Sequence, residues 1–261
     1  MDKSSFIGLI LGIIAVGVGM VLKGVGLGAL VNPAAILIII VGTVASVMIA
    51  FPMDILKRVP ALFKILFFEN KQTDMKELIA MFMEWADQTR KEGLLALEKQ
   101  VSEVEDPFLS SGLQLAIDGQ SPDFIKDVMI EKIEAMEQRH EEGAAIFTQA
   151  GTYAPTLGVL GAVIGLIAAL GDMSDIDALG YAISAAFVAT LLGIFTGYVL
   201  WHPFANKLRE KSKREVLQKE LIVEGILSIT TGDSRLIVQE KLGSLLSSKE
   251  LAKLQERDSN G

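Results

Sequence analysis

The sequence contains no cysteine and only two histidines, His140 and His202. Disulfides and thiolate metal sites are thereby excluded, and two isolated imidazoles do not make a histidine-based metal centre. Basic charge is also in deficit. Asp and Glu outnumber Lys and Arg by 32 to 24, a net charge of −8, which removes the basic footprint that a phosphate backbone requires and excludes nucleic acid as a partner. Paired carboxylates, a nucleophile elbow and metal-ligand motifs are missing as well. The lone glycine run Gly24-Val-Gly-Leu-Gly28 lacks the lysine and the strand–helix context of a phosphate loop. No case for an enzyme remains, and no cofactor is expected.

The most telling shortage is of charge in particular places. Charged residues make up 21% of the chain against a hydrophobic fraction of 51%, but they are segregated from four apolar runs at residues 4–22, 32–51, 144–170 and 176–201. Each run is long enough to cross a hydrocarbon core of ~30 Å at ~1.5 Å per helical residue. The competing reading of the first run is a cleaved signal peptide. Its three-residue n-region, Met1-Asp2-Lys3, and the second run close behind it count against that. The fold class expected is therefore an all-α integral membrane protein with four transmembrane helices. A large helical cytoplasmic loop falls between helices 2 and 3, and a helical cytoplasmic tail follows helix 4.

Orientation follows from lysine and arginine. Apart from Lys3 and Lys23, every basic residue lies in 54–143 or 204–261, several of them beside a run end: Lys57, Arg58, Lys207, Arg209 and Lys211. The positive-inside rule puts both regions and both termini in the cytoplasm. The expected organisation is 1–53 for transmembrane helices 1 and 2, 54–143 for a cytoplasmic helical domain, 144–203 for transmembrane helices 3 and 4, and 204–261 for the tail. Within 54–143, the apolar stretch 60–68 is too short to span, and either lies at the membrane interface or packs on the domain core. Leu78, Met81, Phe82, Trp85, Leu94 and Leu97 recur at helical spacing over 74–104, with Gly93 placed to bend or divide that helix. Ser121-Pro122-Asp123 reads as a helix start, and the helix is expected to run through Glu142 into the third apolar run. A break is expected at Thr231-Gly-Asp233.

Rows of small residues mark the third and fourth runs. Ala185, Ala189, Gly193 and Gly197 share one face of the fourth, and Ala154, Gly158 and Ala162 share one face of the third, a pattern that permits close backbone approach. Neither run contains an ionisable group deep within it, although ion-moving membrane proteins ordinarily need one. The pair reads as half of an ion-driven device whose carboxylate sits on another chain. Pro155 frees the carbonyl of Gly151, as a static kink or as a hinge. Pro203 terminates the fourth run. Thr190 and Thr196 either bond back to their own helix or line a wet path. Arg90 and Glu98 lie about two turns apart on one side of the same helix, as a solvated surface or as a contact.

These residues also carry a family resemblance along essentially the whole chain. The stretch Gly151-Thr-Tyr-Ala-Pro-Thr-Leu-Gly-Val-Leu-Gly-Ala-Val-Ile-Gly165, then Ala186-Phe-Val-Ala-Thr-Leu-Leu-Gly-Ile-Phe-Thr-Gly197, His202-Pro-Phe-Ala-Asn-Lys-Leu208 and Thr89-Arg-Lys-Glu-Gly-Leu-Leu-Ala-Leu-Glu98 resemble the MotA family, membrane stator subunits of the bacterial flagellar motor, in its Gram-positive form. The resemblance implies proton-driven torque generation. It implies a MotB-like partner, single-span and peptidoglycan-anchored, that carries a membrane Asp, and a homo-oligomeric ring, a pentamer, around it. It implies that Arg90 and Glu98 contact the rotor switch protein FliG, and that Pro155, Ala162, Thr190 and Pro203 belong to the ion pathway and its hinge. Sodium-driven relatives of the PomA type carry threonine where Ala162 stands. The alternatives are such a sodium-driven stator, an ExbB/TolQ-like energy transducer, which has three spanning segments, and a membrane scaffold with no ion coupling.

Overall fold

The computed structural model describes residues 3–68, 73–171 and 176–246, and among them every regular element is helical. In chain order these are α1 (Lys3–Leu22), α2 (Pro33–Ile36), α3 (Gly42–Ala50), α4 (Met53–Leu56), α5 (Val59–Phe67), α6 (Met75–Glu92), α7 (Glu98–Glu103), α8 (Pro107–Ile117), α9 (Pro122–Leu170), α10 (Ile176–Phe195), α11 (His202–Thr230) and α12 (Arg235–Gly243). A π turn at Leu37–Val41 fuses α2 to α3, and a second at Thr196–Trp201 fuses α10 to α11. Four helical stretches are long and apolar enough to cross a membrane: α1, Pro33–Ala50, and parts of α9 and of α10–α11. The tip between the third and fourth runs, 172–175, lies outside the described residues.

The chain divides into two compact units, residues 1–70 with 139–210 and residues 71–138 with 211–261. In the first, hydrophobicity points outward. Ile7, Ile10, Leu11, Ile13 and Ile14 of α1 are each more than half exposed, an apolar surface untenable in water and ordinary against lipid or other membrane helices. Its interior consists of small clusters. Ala35 and Ile39 meet Ala154 and Ala189; Val47 meets Ile146 and Ala150. The apolar stretch at 60–68 is α5, which packs on this unit. Leu66 is fully buried with Ala144, Phe147, Ala205 and Leu208. Phe63 and Phe147 meet edge-to-face at 5.3 Å, and Lys64 stays exposed on the outer side of the helix.

The second unit has the inverse character, a soluble-type core of α6, α8, the N-terminal part of α9, the C-terminal part of α11, and α12. Ile79, Phe82, Leu113, Ile125, Met129, Leu221, Ile226 and Leu242 are fully buried there. Segments far apart in sequence thus share one core. Its helix starts carry side-chain caps. Asp74 accepts from the Lys76 amide at 3.2 Å, Asp106 from the Phe108 amide at 2.8 Å, and Ser121 from the Phe124 amide at 3.3 Å. Asp106 also pairs with Lys219 at 2.8 Å.

The start at Ser121-Pro122, the continuous α9 and the break at Gly232 (φ +77°) follow the sequence reading. Two expectations do not hold. Pro203 ends nothing, because α11 continues through it to Thr230. The π turn that finishes two residues before it, at Trp201, widens the backbone where a proline ring would otherwise clash with the carbonyl one turn back. Arg90 and Glu98 do not share a helix. Gly93 (φ +84°, ψ 169°) closes α6, and a 3-10 turn at Leu94–Leu97 precedes α7.

Candidate functional site

The third and fourth membrane runs, the 144–170 part of α9 and α10 with its π turn, approach closely enough for backbone to touch backbone. A Cβ built on Gly193 would lie 2.7 Å from the Ala154 carbonyl oxygen and 2.9 Å from the Gly158 Cα. One on Gly158 would lie 2.8 Å from the Ala189 carbonyl oxygen. The small-residue rows recognised in the sequence are therefore the contact surface of one helix pair. Gly161 extends it, since its Cβ would sit in ordinary contact with Ala189 and Ile38. Gly165 faces open space.

One turn toward α11, Gly197 seats on Pro155. Its Cβ would fall 2.8 Å from the proline Cγ and 2.8 Å from the Gly151 carbonyl oxygen. That carbonyl is the one Pro155 leaves without its helical donor, so the small residue, the proline and the freed acceptor form a single contact. Gly151 in turn underlies the His202 ring, 2.8 Å from a Cβ built on it. The Gly197–Pro155 and Gly151–His202 pairs were not singled out from sequence, although Gly197 already stood in the small-residue row.

Pro155, Ala162 and Thr190 are half-buried, and Pro203 is exposed. Thr190 donates to the Ala186 carbonyl at 3.2 Å, and Thr196 to those of Leu192 and Gly193 at 2.9 and 3.1 Å. Both hydroxyls therefore spend their proton on their own helix and keep only acceptor capacity for anything else. Ala162 and Thr190 adjoin residues in contact, Gly161 and Ala189.

In the same unit, Arg209 grips Glu141 through two nitrogens, at 2.6 and 2.8 Å, and also donates to Thr148 at 3.1 Å. The hydrogen bond from Arg209 holds the Glu141 carboxyl below its usual range, burial opposes this, and the arginine charge adds to it. A depressed folded pKa stabilises the fold above the ordinary carboxylate range, and that stabilisation is lost as pH falls through the folded value. The Glu141 side chain is 55% exposed, so the contribution should stay below ~1 kcal/mol. Melting profiles against pH are expected to show a shallow acid-side loss that Glu141→Gln removes.

In the second unit Arg90 and Glu98 are both exposed, one in the last turn of α6 and the other at the start of α7. The chain between them folds back under a Gln88 bond to the Ala96 carbonyl at 3.3 Å and the buried anchor Leu97, 1% exposed. Among the described residues no cluster of His, Cys, Asp or Glu could hold a metal ion.

Four membrane-length helices, one pair of them closing on an intramembrane proline, define a multi-pass membrane protein. Residues 6–93 match the model of the motility protein A N-terminal region, and residues 100–221 match that of the MotA/TolQ/ExbB proton channel family. Motility protein A of Bacillus subtilis is 62% identical over 98% of this chain and 95% of its own length. A solved structure of the flagellar MotAB stator complex from Bacillus subtilis superposes with a TM-score of 0.92 at 63% identity, covering 97% of this chain and 99% of that one. A second, of MotAB from C. jejuni, gives 0.90 at 31% identity, covering 95% and 97%. The chain belongs to the motility protein A family of flagellar stator subunits, which are motor components and not enzymes. The Gram-positive character of the motifs agrees with the Bacillus similarity.

Proposed function

We propose that this chain, together with a MotB-like, peptidoglycan-anchored, single-span partner, couples proton flow across the cytoplasmic membrane to torque on the flagellar rotor. The observation that carries the reading is the pairing of a tightly closed proline-bearing helix pair with the complete lack of carboxylate in residues 4–22, 33–50, 144–170 and 179–201. The titrating group must then come from elsewhere, and an Asp on the partner's membrane helix supplies it. Protonation of that Asp removes a charge at membrane depth, changing its cost there by at least about 2.5–3.5 kcal/mol. That is enough to bias a bistable packing. Each proton contributes roughly 2.3 kcal/mol per 100 mV.

In this reading both termini and the regions 54–143 and 204–261 are cytoplasmic, residues 1–53 and 144–203 are the membrane parts, and several copies, five in number, ring the partner helices in the cytoplasmic membrane. Pro155, Thr190 and Pro203 belong to the moving wall beside the ion. Gly197 beneath Pro155 is the contact across which that wall shifts. Arg90 and Glu98 meet the rotor switch protein FliG. The order of elements favours the motor subunit over an ExbB/TolQ-like transducer, because the pair of spans ahead of residue 54 is present.

Ala162 bears on the ion. A threonine hydroxyl there would offer an oxygen to a hard cation, whereas alanine offers none. A proton needs only the carboxylate and a hydrogen-bonded path. A strain lacking its own subunit and complemented with this chain and its partner should swim at a speed independent of external sodium and stop on addition of a protonophore. Speed that follows sodium at constant proton-motive force would overturn proton coupling while leaving the stator assignment standing. No swimming despite assembly with the partner would overturn both.

A further inference from the structure

Two buried polar atoms of the first unit find no protein partner among the described residues, the hydroxyl of Thr43 and the indole N–H of Trp201. The side chain of Thr43 is almost wholly buried, in a residue 3% exposed. Its lack of a partner is exceptional within the unit. Thr148, Thr152, Thr156, Thr190 and Thr196 each donate to a carbonyl of their own helix three or four residues back, the usual solution for a hydroxyl in an apolar helix.

Both orphans are placed by the same kind of distortion. Thr43 follows the π turn Leu37–Val41 by two residues, so the residue one turn behind it, Ile39, lies inside the widened segment. Trp201 is the last residue of the other π turn, Thr196–Trp201. Such turns displace carbonyls from the regular ladder and recur at functional sites. The two groups also border the same pair of apolar clusters. Ile39, Thr43 and Val47 form a continuous buried face at four-residue spacing, 1%, 3% and 7% exposed. Trp201 packs against the cluster that contains Ile39 and against the cluster that contains Val47. The neighbouring helix, α9, contributes Ile146, Ala150 and Ala154 to these clusters, with Tyr153 packed at their edge, and none of them gives either orphan a hydrogen bond.

We propose that Thr43 and Trp201 form a buried hydration site, in which one ordered water accepts from the Trp201 indole and bonds to the Thr43 hydroxyl. A threonine hydroxyl both donates and accepts, whereas an indole only donates. A single bridging water thus satisfies both, and the displaced π-turn carbonyls supply the further partner such waters take. In an apolar bundle the alternative, two unpaired polar groups, is costly. The site would tie the second span to the fourth beside α9. It stands independently of the ion coupling proposed above.

The test uses the full chain purified with its partner subunit. Thr43→Val keeps the shape of the side chain and removes the hydroxyl. If the water bridges the pair, Thr43→Val lowers the melting temperature by about 2–4 °C, and the same change made in a Trp201→Phe background has no further effect. Tryptophan emission shifts to the blue in Thr43→Val and stays put in Thr43→Ser. The difference spectrum isolates Trp201, because the other tryptophan, Trp85, packs in the core of the second unit. A Thr43→Val protein that melts at or above the wild-type temperature, or losses that add in the double variant, would overturn the proposal. Should Trp201→Phe fail to assemble, unchanged emission in Thr43→Val overturns it alone.

Discussion

Gly193→Val is expected to abolish swimming by preventing the third and fourth spans from closing. A Cβ there would already sit 2.7 Å from a carbonyl oxygen and 2.9 Å from a Cα of the opposing helix, and valine adds two methyl groups beyond it. Backbone atoms cannot rotate away as a side-chain tip can. The helices must separate by roughly a methyl diameter, and Gly158 and Gly197 lose their contacts as well. Overpacking of a well-fitted interior costs about 1–3 kcal/mol and occasionally more; here it falls on the contact that also seats Pro155. The checks are protease resistance of the membrane-inserted chain and swimming of the complemented strain. Gly8→Val is the matched control, because nothing lies within 4 Å of a Cβ at Gly8 of α1. A Gly193→Val chain as resistant and as motile as the control would show that the close approach does not matter.

The spans, the small-residue rows and the helix start at Ser121-Pro122 are legible in the sequence because each rests on local chemistry. A carboxylate-free run of membrane length has few other fates, and a capping serine before proline specifies a helix start with little help from tertiary structure. The π turns are not legible there. Leu37-Ile-Ile-Ile-Val41 is an equally good α-helical sequence, and only packing decides which ladder it adopts. Pro203 escapes the expected role of terminator for the same reason, since a π turn ahead of it removes the clash that makes proline a terminator. The apolar spacing continues through Gly93 and so puts Arg90 and Glu98 on one helix, while the positive φ at that glycine redirects the chain. Apolar periodicity in 74–104 and in the tail announced burial but not against what. That α6 and α12 share a core is a fact of long-range pairing that periodicity does not encode. Thr43 carried no signal at all, since a lone threonine in an apolar run ordinarily bonds to its own backbone.

Charge reversal at Arg90 or Glu98 should stop or severely slow swimming without removing the chain from the membrane, and the structure sets out what must be separated from that result. Arg90 stands in the last turn of α6 and Glu98 in the first turn of α7, so each already complements its helix dipole. Reversing either costs about 0.3–1 kcal/mol of local stability whatever it touches. A loss of that size leaves most of the protein folded, because both side chains are exposed. Lys91→Glu provides the comparison. It is exposed in the same last turn, carries the same dipole cost, and lies outside the proposed pair, so it should retain more motility than Arg90→Glu. The decisive measurement is compensation. Under the proposed contact with the rotor switch protein, reversing an opposing charge on that protein should restore swimming to Arg90→Glu or to Glu98→Lys, and no helix-dipole effect can be repaired from another molecule. If no reversal on the rotor restores either variant while Lys91→Glu is equally impaired, the two residues support the fold of the α6–α7 turn and do not carry torque.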